Sequence, residues 1–517
     1  MWSDSRGTRL HPAVLCLLVA VLYGAGVGLQ RASRTAFWFD EVASVVIADE
    51  GTKGIWTALK GGADANPPAF YLLEALSQRL IVNPHLAYRL PPLVGFLGIP
   101  VALFYFVRRR CGNLAGLTAA LIPFVTPLFT IYSIEARPYS QVTCCVAWSL
   151  VMWQDAHRRA RLIAFAFLLA AASSLHYYAV LALIPFGIAE LVRTARLHDF
   201  RIGVWLALVA GTMPLAAFWP LLSNFRQEYN ATFWAQPKLL TAYGELLGVS
   251  DRWAAPLVLI LVAALLASYV TGRTLPNRSV TTASVIPLEE RTLVLGFICL
   301  PLIVALPAVL LQSPMAARYV LPTALGISAA AAFAVSDSSR RATLWLLGAT
   351  VAIIGAQQSD YWRFGEYSNG TPRHSELQLL RKLMARHFPA GSPIVVSNAL
   401  SYLPMAYYAA ADPDAPVYLV DPPAALRAVG SDSTERALLL LAPFAPLRLR
   451  TLPEFLSAHS SFLIYAEGGQ NGAWDWLPAR LAQGGHSVRL LEEDRSAGAI
   501  HVLYRVDTGG LARPGVE

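Results

Sequence analysis

Charge is what this chain has least of. Only 14% of its 517 residues are Asp, Glu, Lys or Arg, while 55% are hydrophobic. An ordinary soluble domain carries about 25% charged residues. With a mean hydropathy of +0.47, the composition excludes a soluble globular chain and reads as an integral membrane protein. Cysteine is scarce too. Cys16, Cys111, Cys144, Cys145 and Cys299 fall in or beside apolar runs, with no metal spacing and no disulfide framework, so they read as small buried hydrophobes. No internal repeat and no Gly-rich phosphate loop at a strand–helix junction is visible. Positive charge is unevenly spread. Residues 359–517 hold 16 acidic and 14 basic residues, a net of −2; with +8 overall, the first 358 carry +10. That excess sits in short loops between apolar runs, which excludes a nucleic-acid partner.

What is present is a series of long apolar runs. A membrane span needs roughly 20 such residues, and eleven spans are predicted at about 12–30, 86–107, 113–131, 139–155, 162–176, 177–193, 202–222, 253–271, 292–312, 319–336 and 342–358. The first follows Arg6 and Arg9 and reads as an uncleaved span rather than a signal peptide. Arg and Lys in short loops set orientation. Arg108–Arg110, Arg158/Arg159/Arg161, Arg193/Arg196/Arg201, Arg273/Arg278/Arg291 and Arg340/Arg341 all fall on the inner side if the N-terminus is inside. The first outer loop, about 31–85, then carries a predicted helix from Asp40 to about Asp49 and a Gly-rich turn. A second helix opens at Pro67/Pro68, where a missing N–H costs nothing, and is expected to lie along the membrane surface.

The tail from 359 alternates strand-like runs (SPIVVSN, APVYLVD, SSFLIYAEG, HSVRLLEE, AIHVLYRV) with helix-like ones (SYLPMAYYAA, LPEFLSA, WDWLPARLAQ). The expectation is a small soluble α/β domain with a largely parallel sheet. The predicted division is thus a transmembrane domain, 1–358, and an outer-side domain, 359–517.

Five short stretches could carry chemistry, and the topology puts all of them on the outer side. In FWFDEVAS, Asp40 and Glu41 are either a helix-start cap or a carboxylate placed to take a proton from a hydroxyl. In SIEARPYSQ, Glu135 and Arg137 are either a local pair or an anion grip at the membrane edge. An Arg at the bilayer centre costs about 2.5–3.5 kcal/mol, and its planar fork suits a phosphate. LHYYAV, with His176 and Tyr177, and MAARYVLP, with Arg318 and Tyr319, read either as interfacial aromatics or as parts of the same site. DANPPAFYLL places Asn66 before two prolines, as a turn entering a helix.

In this combination the residues resemble the GT-C superfamily of polyprenyl-phosphate-dependent glycosyltransferases. They look most like the bacterial branch of glycosyltransferase family 39, which includes protein mannosyltransferases, aminoarabinose transferases acting on lipid A, and Rgt-type lipopolysaccharide core transferases. FWFDEVAS, NPPAFYLLEAL, EARPYS, HYYAVLALIP and RYVLPTALG carry the resemblance over about residues 35–330. It implies a polytopic α-helical GT-C fold and a sugar donor on a polyprenyl phosphate such as undecaprenyl phosphate. The site would lie at the outer, periplasmic face of a bacterial inner membrane. Asp40 matches the catalytic acid–base Asp, with Glu41 positioning the acceptor or Asp40. Arg137 would stabilise the leaving lipid phosphate. Glu135, Tyr139, His176, Tyr177, Arg318, Tyr319 and Asn66 are the expected substrate-binding residues. A single displacement would invert the anomeric centre. The acceptor would be an envelope hydroxyl on lipid A, lipopolysaccharide core, another glycan or a protein. Many relatives have His before the two prolines, where this chain has Asn66. Asn is a poor transition-metal ligand, so no cofactor is firmly implied and a divalent metal is not expected. The rival reading is a transporter or flippase for a lipid-linked sugar, which predicts inverted repeats and midplane broken helices.

Overall fold

In the computed structural model, the described residues are 11–229, 233–235, 243, 286–311, 313–338, 340–364, 382, 393–468, 475–495 and 500–508. They form two compact units. The first comprises residues 1–33, 89–218 and 237–367; the second comprises 34–88, 219–236 and 368–517. The segment predicted as the first outer loop therefore clusters with the tail.

The first unit is helical. The predicted span at 253–271 lies outside the described residues; each of the others falls on a helix. Pro12–Arg34, Pro84–Val125 and Tyr177–Leu197 are long and apolar enough to cross a membrane. The pair Leu288–Ile298 with Leu300–Leu310 passes the same test when read as one span; Ile202–Ala217 belongs to this unit and Trp219–Tyr229 to the second. The breaks have local causes. Gly112, at φ +80°, interrupts Pro84–Val125 in a conformation that costs glycine little. Thr126, before Pro127, is extended, as a residue ahead of proline prefers. His176 is extended between Arg159–Leu175 and a 3-10 turn, Tyr177–Ala182. Helices Leu288–Ile298 and Thr323–Ser338 meet at Gly326, where a Cβ would stand 2.7 Å from the Ile298 backbone nitrogen. Small residues permit such approach between apolar helices.

One end of this unit is tied by ions. Glu190 is fully buried and accepts from Arg201 through both carboxylate oxygens and from Trp153 Nε1 at 3.1 Å. Glu290 accepts from Arg110 at 2.6 Å and from Gln154 at 3.2 Å. Arg196 pairs with Glu289 at 2.8 Å and Arg109 with Asp155 at 2.6 Å. Arginines that the charge pattern assigns to two separate inner loops are thus held by acids from neighbouring segments.

In the second unit, helix Phe39–Asp49 packs on Gly51–Lys60 and Pro68–Leu80. Pro68–Leu80 presents Leu72, Leu76 and Leu80 outward and turns Glu74 and Ser77 inward. An exposed stripe of this kind suits a lipid surface. The tail contains β1 (Ile394–Val396), β2 (Tyr418–Leu419), β3 (Leu449–Arg450), β4 (Ser461–Gly468), β5 (Ser487–Asp494) and β6 (Ile500–Asp507). One sheet has the order β1-β4-β6-β5 and a second pairs β2 with β3. A parallel bridge, Val395 to Val417, links them. The expectation of a largely parallel sheet is corrected: β1–β4 and β2–β3 are parallel, but the long ladders β4–β6 and β5–β6 are antiparallel. Only five residues join β5 to β6, enough for a hairpin and too few for a crossover. Phe462, Ile464, Val506, Leu477 and Leu481 form the core beneath.

Two acids in this core sit above their ordinary range. Burial pushes Glu435 up to about 7; burial, with Glu467 adding to it, pushes Asp475 up to about 8. The folded state then holds protons that the unfolded state releases from about pH 4 upward, so these groups favour folding at low pH and less as pH rises through 7 to 8. Hydrogen exchange of the β4 amides in the full chain, corrected for intrinsic rate, is expected to quicken between pH 5.5 and 8.5, and Asp475→Asn to flatten that trend. Glu190→Gln leaves Arg201 beside a neutral group in a buried site; thermal unfolding of the purified protein should register a loss of about 3 kcal/mol or more.

Candidate functional site

Residues named from the sequence fall into two clusters, one in each unit. In the second unit Trp38, with extended backbone, is the cap residue, and the helix runs from Phe39. Asp40 is therefore its second residue rather than its cap. The capping bond comes from Glu41, whose Oε2 accepts the Trp38 N–H at 3.1 Å, the reach-back of a third-position Glu. Glu41 is 2% exposed and Asp40 half-buried. Both acids lie in the first turn, where the helix dipole favours an ionised carboxylate. Ser44 Oγ donates to the Asp40 carbonyl at 3.0 Å. Ahead of the helix, the Phe37 N–H donates to the Tyr408 hydroxyl at 2.7 Å.

Asn66 is 2% exposed, and its Nδ2 has no hydrogen-bond partner among the described residues. It precedes Pro67, which caps Pro68–Leu80. No group of three or more His, Cys, Asp or Glu that could hold a metal ion occurs among the described residues.

In the first unit the predicted residues gather around an aromatic pocket. Its lining includes Tyr139, Thr143, His176, Tyr178, Arg318 and Tyr319. Tyr178 and Tyr319 stack with centroids 4.8 Å apart. His176 lies 5.0 Å from Tyr319 and 5.5 Å from Tyr139. The Arg318 guanidinium sits 5.8 Å from each of the Tyr139 and Tyr319 ring centroids, so two negative ring faces hold the cation. The Tyr178 N–H donates to His176 Nδ1 at 3.3 Å; a neutral ring then carries its proton on Nε2 and is a donor there. The Tyr178 hydroxyl donates to the Pro314 carbonyl, which fixes that ring.

Glu135 and Arg137 are each 7% exposed. Their turn is tight, with the Arg137 N–H donating to the Glu135 carbonyl at 2.6 Å, and Pro138 occupies the cap position of helix Tyr139–Gln154. Neither residue lines the pocket; Tyr139, next along the chain, does. Tyr177 is buried and does not line it either. Its neighbour Tyr178, absent from the sequence-based selection, takes that place. In a pair of adjacent tyrosines only the register of the 3-10 turn decides which one faces the pocket.

A planar cation between aromatic faces, with a ring N–H and tyrosines nearby, can hold a phosphate by charge-assisted hydrogen bonds. Comparison with known proteins gives a family match and a shared fold. Residues 65–223 match the family described as dolichyl-phosphate-mannose-protein mannosyltransferase, a stretch that takes in Asn66, Arg137 and His176 and leaves out Asp40 and Arg318. No curated protein sequence matches the chain. The crystal structure of ArnT from Cupriavidus metallidurans bound to undecaprenyl phosphate shares the fold, with a TM-score of 0.56 at 13% identity over 98% of this chain and 100% of that one. The apo structure of the same protein gives a TM-score of 0.46 at 13% identity, over 97% and 99%. The chain is thus similar over residues 65–223 to that mannosyltransferase family, and it shares the fold of ArnT.

Proposed function

We propose that this protein is an inverting glycosyltransferase. It moves a sugar from a polyprenyl-phosphate donor to a hydroxyl of a cell-envelope acceptor at the periplasmic face of a bacterial inner membrane. The observation that carries the reading is the pocket in which Tyr139 and Tyr319 flank Arg318 beside His176. It offers a lipid phosphate a delocalised cation and a donor ring.

Asp40 is assigned the general base. Glu41 supplies the capping bond, which supports a positioning role for Glu41 and a separate use for the neighbouring carboxylate. As the acceptor oxygen attacks the anomeric carbon, its proton passes to Asp40. The bond from that carbon to the phosphate oxygen breaks, and the polyprenyl phosphate leaves with the electron pair. Arg137 and Arg318 are assigned to the charge that develops on the leaving phosphate. Tyr139, Tyr178, Tyr319 and His176 shape its binding site. Glu135, Tyr177 and Asn66 hold the surrounding turns. The single displacement inverts the anomeric carbon.

Release of lipid phosphate from a panel of radiolabelled polyprenyl-phosphate sugars, with membrane glycolipids and proteins as acceptors, tests the assignment. Asp40→Asn keeps the side-chain shape and is expected to cut turnover at least about 100-fold while remaining folded. Turnover at the wild-type rate makes Asp40 a structural residue. Arg318→Gln should raise the donor KM about 10- to 100-fold, the worth of charge-assisted bonds to one phosphate. An unchanged KM removes the pocket from the donor site.

A further inference from the structure

We propose that Tyr408, in the C-terminal tail, is a positioning residue for Asp40, so that the tail completes the catalytic segment instead of serving only as an appended domain. The inference rests on the reading of Asp40 as general base.

Two backbone N–H groups immediately precede the helix that carries Asp40, those of Phe37 and Trp38. Trp38 is extended (φ −100°, ψ −179°), so the chain turns there from an extended path into a helix. Such a junction can pivot unless its amides are tied. Both are tied, from different directions. Glu41 takes the Trp38 N–H at 3.1 Å from within the same turn. The Tyr408 hydroxyl takes the Phe37 N–H at 2.7 Å from 371 residues away. The first tie travels with the helix; the second refers the start of the Asp40 helix to a point 371 residues away in the same unit.

That point is itself braced. Tyr408 ends helix Ala399–Tyr408, whose start is capped by Asn398 accepting the Leu400 N–H at 2.9 Å. Its hydroxyl also lies 2.8 Å from His85 Nε2. The hydroxyl accepts the amide and shares a second hydrogen bond with His85, whose direction follows the His85 tautomer. The Phe37 ring, fully buried, stands edge-on to His85 at 4.7 Å and to Tyr407 at 6.2 Å. Helix Ala399–Tyr408 also packs directly on Phe39–Asp49. The Phe37 amide is thus fixed by a hydroxyl whose orientation is set by a second hydrogen bond, and whose ring is held by packing. An error near 1 Å in the placement of a reacting group costs up to about 100-fold in rate, so a tie of this kind acts on turnover.

Tyr408→Phe keeps the ring and removes the oxygen. With the full-length enzyme and the lipid-phosphate release assay, the variant is expected to lose about tenfold in kcat, with the donor KM and thermal midpoint near wild type. The deciding measurement is the same substitution in the Asp40→Asn background. A residue acting through Asp40 costs nothing further on the residual rate, whereas a general structural contribution costs the same in both backgrounds. Full kcat in Tyr408→Phe, or equal losses in the two backgrounds, overturns the proposal. If Tyr408→Phe is not recovered folded, His85→Ala removes the group that orients the hydroxyl and is judged by the same pair of comparisons. A failure of the base assignment appears in Asp40→Asn alone, and a failure of the tie only in the Tyr408 or His85 comparisons.

Discussion

No ionic group can stay bare among apolar helices, and the first unit is arranged around that constraint. Its fully buried acids are matched. Glu190 meets an arginine and an indole, and Glu290 an arginine and an amide. A buried pair adds little net stability but is costly to break, so such pairs fix which helix ends lie together more than they strengthen the bundle. Between the ends the polar residues are small. Thr118, Thr143 and Ser149 each return a hydroxyl to the carbonyl four residues earlier in their own helix, which satisfies the group without a partner helix.

The other functional grouping in that unit solves the same problem by different means. Arg318 has the faces of two tyrosines beside it. An aromatic face stabilises a cation while leaving the planar edge of the guanidinium suited to an anion. An acid tightly paired with arginine locks helices; an arginine between rings is suited to receive a ligand. The contrast separates the scaffold end of the unit from the end to which donor chemistry is assigned.

Much of this was legible in the sequence because it depends on local pattern. Apolar runs of span length become helices, and the loop arginines that membrane proteins gather on one side meet acids from neighbouring segments. The interruption SSLHYY becomes an extended His176 and a 3-10 turn, since no regular helix continues through it. What was not legible depended on register or on distant partners. Whether Tyr177 or Tyr178 faces the pocket is decided by one residue of turn geometry. That Glu41 rather than Asp40 supplies the cap depends on the helix starting at Phe39, two residues earlier than an Asp40 cap requires. The antiparallel ladders of β4, β5 and β6 follow from a short connection that alternation alone does not reveal. The tie from Tyr408 joins segments whose separation leaves no trace in any local window.

That separation has a consequence in time. Ribosomes add roughly 5–20 residues per second, so the 371 residues between Phe37 and Tyr408 take about 20–75 s to make. Throughout that interval the segment bearing Asp40 has been synthesised and its long-range tie has not. Under the tie proposed above, a nascent or prematurely terminated chain holds its acid in an unfixed turn. Activity then arrives only after synthesis has passed Tyr408.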